Sequence, residues 1–565
     1  MVSPIRRAVD RGVPLTKSVP SPSQVQATFA ATLVDEWIRD GLRDVVICPG
    51  SRSTPLAMAF AQRPELRAHV RIDERGAGFF AVGRALASET PVAILVTSGT
   101  AAAELHACVA EADQAEVPII VITADRPPEL HGVGAPQTMN QRHLYGDMVR
   151  RFEEPGVARS GAAPTWRALA ARLFESARGS TAPPGPVHVN VAFVEPLLAD
   201  AGELPRGREG GAPWQSWRRT PITSTWTAPG RRIVAIVGRG TPREWVREAI
   251  TNHWVVVGDA TTPDTLAYVD GLLRSESFAR KVRPEVVVRV GGLPSSKVLL
   301  ERWRDWQTRS VGFDGGGFLA DPERLIEERL EGLPVMSPSC RGDENYVDTW
   351  TRASAKVATL LAEAEDSFSE IAVARATVAF ANESATPLVI GSSMPVRDVE
   401  WWAPSRRVAT FSNRGVSGID GVVSSALGVA SGATALALVG DVTMLHDVSA
   451  LVDGVGPHGG TLVVVVANNQ GGGIFSFLSQ SSLEEERFEL LFGTPRVHDL
   501  ERVASAFGHR GVSVKSVKEL REALGRGLQS TGVTVVVAHV PERSENVETH
   551  RRWNELVVET LGTSS

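Results

Sequence analysis

Two short strings, Gly440-Asp441 and Asn468-Asn469, constrain this chain more than anything else in its 565 residues. Leu438-Val439-Gly440-Asp441 closes one apolar run. A second run, Thr461 to Ala467, leads into Asn468-Asn469-Gln470-Gly471-Gly472-Gly473-Ile474-Phe475. Strands that end this way, side by side in a parallel sheet, put a carboxylate and an amide at the carboxyl edge, where α/β sheets bind ligands. Asp441, Asn469 and one backbone carbonyl then make a half-shell of oxygens suited to Mg2+ shared with phosphate. The helix expected after Asp441 points its amino end at the same anion. The plainer alternative is a strand–turn pair in which Asp and Asn serve only as turn formers.

At roughly 150 residues per domain, the length allows three to four domains. Apolar residues make up 43% and charged residues 22%, which is the balance of a globular chain. The net charge of −6 argues against a nucleic-acid partner, which leaves a basic footprint. Cys48, Cys108 and Cys340 are far apart with no CxxC, so neither a disulfide framework nor a zinc site is expected. A reducing, cytoplasmic setting fits. No apolar run approaches the ~18 residues of a membrane span. Residues 1–20 carry Arg6, Arg7, Arg11 and Lys17 without an apolar stretch, and read as a flexible arm or a misplaced start, not a signal peptide.

Apolar runs alternate with helical periodicity along the chain, which predicts an α/β fold of three doubly wound parallel sheets. The first unit spans 21–200. Ser23 is placed to cap a helix with an apolar face of Phe29, Leu33, Val34, Trp37 and Ile38, ended by Gly41. Strands are expected at 44–48, 92–97, 117–123 and 187–191. A Gly-, Pro-, Arg- and Trp-rich linker covers 201–230. The central unit, 231–335, has strands at 232–238, 254–257, 286–290 and 311–314. Its Gly238-Arg239-Gly240 is weak evidence for a dinucleotide site, because Arg243 replaces the third glycine. A connector covers 336–368, and the last unit covers 369–565, with strands at 388–391, 408–412, 435–439 and 462–467. No internal sequence repeat is visible.

The Gly-Asp, spacer, Asn-Asn pattern, with Asp441 and Asn469 28 residues apart, resembles the diphosphate motif of thiamine diphosphate enzymes. In that chemistry the cofactor reacts, while the protein orients it and sets the electrostatics. A carboxyl group must hydrogen-bond N1′ of the aminopyrimidine, so that the exocyclic nitrogen can take the thiazolium C2 proton. The cofactor must also be bent into a V. Glu74, within Ile72-Asp73-Glu74-Arg75-Gly76-Ala77-Gly78, stands at a strand-to-helix junction and offers that carboxyl. Read alone, the same cluster is more simply an exposed, charged helix start.

Further strings make the resemblance specific. They are Cys48-Pro49-Gly50-Ser51-Arg52-Ser53-Thr54-Pro55-Leu56, Thr97-Ser98-Gly99-Thr100-Ala101, Ala124-Asp125-Arg126-Pro127-Pro128-Glu129-Leu130 and Asn413-Arg414-Gly415-Val416-Ser417-Gly418-Ile419-Asp420-Gly421. With them the chain resembles the 2-succinyl-5-enolpyruvyl-6-hydroxy-3-cyclohexene-1-carboxylate synthases, thiamine diphosphate enzymes of menaquinone biosynthesis. The strings run in family order from about Ser21 to Leu478.

The resemblance implies decarboxylation of 2-oxoglutarate and conjugate, Stetter-like addition of the succinyl semialdehyde carbanion to isochorismate. It implies Glu74 as the catalytic carboxyl. Cofactor contacts would come from Ser393, Ile419, Gly440, Asp441, Val442, Thr443, Asn469 and Ile474. The ion would be Mg2+, with Mn2+ as the alternative, on Asp441, Asn469 and Gly471. Substrates would meet Ser51, Arg52, Arg126, Gln137, Lys297, Arg397, Arg414, Phe475 and Leu478. Arginine forks suit two dicarboxylate substrates. At Lys297 the family often has a second basic residue next in sequence, where this chain has Val298. Related folds place the cofactor between subunits, so a homodimer at least, and a homotetramer by expectation, follows. The rival readings are another thiamine-dependent 2-oxo acid decarboxylase or carboligase, and a non-catalytic binding protein on the same fold.

Overall fold

In the computed structural model, residues 20–180, 182–218, 223–315, 317–363 and 368–562 are described. The expected arm, apart from Pro20, lies outside them, as do parts of the linker and connector.

The first sheet holds β1 (Asp44–Ile47), β2 (Arg67–Val70), β3 (Val92–Val96), β4 (Ile119–Asp125), β5 (Phe152–Glu153) and β6 (Val187–Ala192). All neighbours are parallel, in the order 2-1-3-4-6-5. β1, β3, β4 and β6 are buried along their whole length. A sheet covered on both faces needs such continuous apolar runs, which is why these strands stand out in the sequence.

β7 (Thr223–Ser224) pairs with β13 (Leu333–Pro334) beside the central sheet of β8 (Ile233–Val237), β9 (Val255–Gly258), β10 (Val286–Val290), β11 (Arg309–Asp314) and β12 (Glu328–Glu331). The last sheet holds β14 (Leu388–Ile390), β15 (Thr410–Phe411), β16 (Thr434–Gly440), β17 (Thr461–Asn468), β18 (Arg510–Val514) and β19 (Gly532–His539). Its order is 15-14-16-17-19-18. Counted within each unit, that is again 2-1-3-4-6-5. The third unit repeats the topology of the first, although the sequence shows no repeat.

These two units share one core, in which Phe79, Phe80 and Leu105 meet Val423, Leu427 and Val464. At its centre the helix Glu74–Ser88 crosses the helix Val422–Ala430 at backbone contact. A Cβ on Gly83 would lie 2.0 Å from the Ser425 carbonyl oxygen, and one on Gly428 would lie 2.2 Å from that of Phe80. The central unit has its own core, where Trp303 and Trp306 are joined by Trp350 of the helix Glu344–Glu363 and Trp553 of the helix Arg543–Gly562.

Several expectations need correction. The first helix, Pro22–Asp40, is capped by Ser21, whose Oγ accepts from the Gln24 amide at 3.2 Å. Pro22 takes the first helical position, where no donor is needed, and this moves the cap upstream of Ser23. Gly41 does end the helix, at φ 115°. The strand expected over 408–412 shrinks to two residues. At Gly238-Arg239-Gly240 the loops close on themselves. A Cβ on Gly238 would lie 2.4 Å from Gly292, and the buried Arg289 donates to the carbonyls of Gly291, Gly292 and Ala320 at 3.1, 2.8 and 3.1 Å. The dinucleotide crevice is filled by the protein itself.

Candidate active site

β16 and β17 pair in parallel with Gly440 opposite Ala467, so Asp441 and Asn468-Asn469 leave the sheet together. Asp441 opens the short helix Asp441–His446, which also carries Val442 and Thr443. Its carboxylate is buried, and Oδ2 has no hydrogen-bond partner among the described residues. Burial pushes its pKa up to about 6, against the backbone amides of Val442 and Gly471. Asn469 is also buried. Its Oδ1 accepts from the Gly471 amide at 3.1 Å, and its Nδ2 donates to Glu370 Oε1 at 2.7 Å.

A buried carboxylate oxygen without a donor is costly unless something positive meets it. Among the described residues no group of three or more His, Cys, Asp or Glu could hold a metal alone. Two side chains and a carbonyl, completed by phosphate, are what a phosphate-bridging Mg2+ uses, so the residues fit that ion. A cavity of about 720 Å3 opens beside Asn469, Gln470, Phe488, Glu489 and Arg543. Ile474 and Phe475 follow in a short 3-10 turn closed by Leu478, and the Phe475 ring lies 5.4 Å from that of Phe492.

Glu74 is the first residue of its helix, next to Asp73, whose side chain accepts from the Arg75 amide at 3.2 Å. Its neighbours are tied to the third unit. Arg75 donates to the His446 carbonyl at 3.0 Å, and Ser449 Oγ donates to Asp73 at 2.5 Å. Glu74 lines a cavity of about 510 Å3 with Gly50, Ser51, Thr97 and Gln137. Gln137 holds φ 52°, a left-handed conformation that costs energy outside glycine. Arg52 donates to the Phe193 carbonyl at 3.0 Å and pairs with Glu195 at 3.2 Å. Arg126 donates to Ser98 Oγ. Burial, and then the nearby Arg52 cation, pull the Arg126 pKa below its ordinary value. The cavities of Glu74 and Asn469 share no lining residue.

A third group gathers where the central and last units meet. Ser393 sits at φ 73°, and its carbonyl accepts from Arg397 Nη1 at 2.6 Å. Burial and the neighbouring Arg414 lower the Arg397 pKa. Arg414 belongs to a loop held from the first unit. The buried Glu111 accepts from the amides of Gly415 and Val416 at 2.6 and 2.7 Å. The same loop carries the half-buried Ile419 and ends at Gly421. There φ is 65°, and a Cβ would lie 1.9 Å from the Phe79 ring, so only glycine fits. Lys297 is exposed at the start of the helix Lys297–Trp306. That start is held by Glu400, which accepts from the amides of Ser295 and Ser296 at 2.9 and 3.0 Å. Burial pushes the Glu400 pKa up to about 7, while the Arg414 cation opposes the rise.

The structure thus brings Ser51, Arg52, Glu74, Arg126 and Gln137 together in one group. Residues 440–443 with 469–478 lie together beyond β16 and β17, and Ser393, Arg397 and Arg414 gather in the remaining group, while Lys297 stays exposed on the helix start that Glu400 holds. Glu111, Glu370 and Glu400 escaped the sequence reading. Each is an acid on an otherwise ordinary helix, and no local signal shows that its partner lies about a hundred or more residues away.

Two thiamine pyrophosphate enzyme families match the chain: the N-terminal TPP binding domain over residues 27–144 and the C-terminal TPP binding domain over residues 392–538. Among curated proteins, a 2-succinyl-5-enolpyruvyl-6-hydroxy-3-cyclohexene-1-carboxylate synthase of Myxococcus xanthus is 38% identical over 96% of this chain and 99% of its own. Proteins of the same name from Thermobifida fusca and Saccharopolyspora erythraea are 40% and 37% identical. They cover 89% and 95% of this chain, and 94% and 99% of their own lengths.

Proposed function

The chain belongs to the 2-succinyl-5-enolpyruvyl-6-hydroxy-3-cyclohexene-1-carboxylate synthase family, and we propose that it carries out that synthesis in menaquinone biosynthesis. It is a thiamine diphosphate-dependent enzyme that decarboxylates 2-oxoglutarate and joins the remaining succinyl unit to isochorismate. The observation that carries this reading is the buried Asp441 Oδ2, without a hydrogen-bond partner among the described residues, close to Asn469 in a chain whose first and last units both match thiamine-binding families.

Bound thiamine diphosphate supplies the carbon nucleophile and the electron sink for decarboxylation. The Glu74 carboxyl holds a proton at the pyrimidine ring nitrogen. Asp441, Asn469 and the Gly471 carbonyl would hold Mg2+, or Mn2+, and Gly440, Val442, Thr443 and Ser393 would bind the diphosphate. Ile419 would support the cofactor, and Ile474, Phe475 and Leu478 would line the substrate side of the site. The two arginine pairs, Arg52 with Arg126 and Arg397 with Arg414, each offer a site for carboxylates, helped by Ser51, Gln137 and Lys297. Cations fixed in a partly dry cleft favour anionic substrates and stabilise charge as it develops.

Within one chain Glu74 and Asn469 line separate cavities. Ile72, beside Glu74, is 61% exposed, and Val416, beside Arg414, is 59% exposed. These features support a second copy completing each site, in a homodimer at least and a homotetramer as the expected form. No helix among the described residues is long and apolar enough to cross a membrane. The three cysteines are free and buried, which supports a reducing, cytoplasmic setting.

The test is to supply the purified protein with thiamine diphosphate, Mg2+ and both acids, and to follow CO2 release and isochorismate loss together. Coupled release and loss is expected. Decarboxylation with isochorismate untouched would reduce the protein to a plain decarboxylase.

A further inference from the structure

Asn469 can serve a cation only through Oδ1, because its Nδ2 is a donor. The two ends of an amide have the same shape, so the partners decide which end faces where. Here the partner of Nδ2 is Glu370 Oε1, at 2.7 Å. Glu370 is 4% exposed at the first turn of the helix Glu370–Ser384. With or without a proton on the carboxyl, its carbonyl oxygen accepts. Asn469 therefore turns Nδ2 inward and Oδ1 toward the Gly471 amide, at 3.1 Å, on the side of Asp441.

The groups behind Glu370 are equally fixed. Asp398 and Asp441 are the other acids that bear on it. Asp398 Oδ1 meets His550 Nε2 at 2.9 Å, and Trp402 Nε1 donates to His550 Nδ1 at 3.0 Å. The Trp402 bond leaves Nε2 of the neutral ring carrying the proton, so Asp398 is engaged by a donor of its own.

We infer that Glu370 is a positioning residue for the divalent cation: by accepting the Asn469 Nδ2 proton it commits Oδ1 to the metal. This rests on the proposed metal site. Partners that orient ligands in this way are worth roughly ten- to a hundredfold in metal affinity.

The test uses the metal-free, full-length protein with thiamine diphosphate, titrated with Mn2+ and read by loss of the free-ion paramagnetic resonance signal. Glu370→Leu removes the acceptor, and Mn2+ affinity should fall about ten- to a hundredfold. Glu370→Gln keeps an accepting oxygen and should retain most of the affinity. The metal-free Glu370→Leu protein should melt somewhat below wild type, because Asn469 Nδ2 loses its buried partner, yet remain folded at the temperature of the titration. Wild-type affinity in Glu370→Leu overturns the inference, and so does an equal loss in Glu370→Gln. If Glu370→Leu does not fold, Glu370→Met carries the same test. Asp441→Ala separates the two ideas. If it loses Mn2+ while Glu370→Leu keeps it, only the role of Glu370 falls. If Asp441→Ala keeps Mn2+, the metal site itself is wrong and the inference falls with it.

Discussion

Glu111→Gln is a sharp test of how the substrate loop is held. Glu111 lies in the first unit, 3% exposed, and grips two successive amides of the loop that carries Arg414. Burial raises its pKa, while the amides of Val416 and Gly415 work against that rise. A hydrogen bond to a charged group is worth about 1.5–3 kcal/mol. Glutamine keeps one acceptor oxygen, so one amide keeps a partner and the other faces an NH2, donor against donor. The expected loss is therefore that of one charged bond, about 1.5–3 kcal/mol. At about 1.4 kcal/mol per decade, this is on the order of a ten- to hundredfold effect. It should appear as a raised apparent KM for the acid that Arg414 holds, with a lower unfolding midpoint and a smaller change in kcat. Steady-state kinetics with each acid varied in turn, together with a thermal melt, measures all three. If both KM values and the melt match wild type, the loop does not depend on Glu111 and the argument fails.

Glu74→Gln should reduce turnover by more than the ~10²–10⁴ of an ordinary acid–base residue, because proton transfer gates every later step. Titration should still show cofactor binding, and near-normal turnover would remove Glu74 from the mechanism. Lysine at Arg52, Arg126, Arg397 or Arg414 keeps the charge and loses the fork. At least one such change should raise KM for one acid far more than for the other, and four wild-type profiles would make these arginines structural. Glu400→Ala frees the start of the Lys297 helix, so it should shift KM for the same acid as Lys297→Ala. The double variant should then add little, and additive losses would uncouple the two residues.

The last prediction concerns acid stability. Burial works to raise the Asp44 pKa, but His69, Arg84 and Arg67 outweigh it and hold the carboxyl down to about 2. Because the folded value lies below the ordinary one, its contribution is present above about pH 4 and is lost as pH falls toward 2. The contribution is on the order of 2 kcal/mol. Denaturant melts of Asp44→Asn should therefore lose this amount at pH 7 and converge on wild type near pH 2. An unchanged gap down to pH 2 would refute the linkage.

What the sequence determined by itself was whatever short-range chemistry writes into a short string. β4, β16 and β17 are covered on both faces, so they read as unbroken apolar runs. β12 and β18 have mixed burial and β5 is two half-buried residues, so the periodicity that would mark them is weak over so short a run. Asp441, Asn469 and Glu74 were legible as candidates because strand ends and helix starts place them within a few residues of their signals. Only the tertiary structure decided that the first and last sheets share one strand order. Burial asks only for apolar side chains, so two sequences can build one topology without resembling each other. Only tertiary structure, too, turned Glu111, Glu370 and Glu400 inward. Their bonding partners lie 99 to 305 residues away in the chain for Glu111 and Glu370, and 104 to 105 residues away for Glu400. An acid on a helix reads as solvent-facing until the fold brings it an amide to hold.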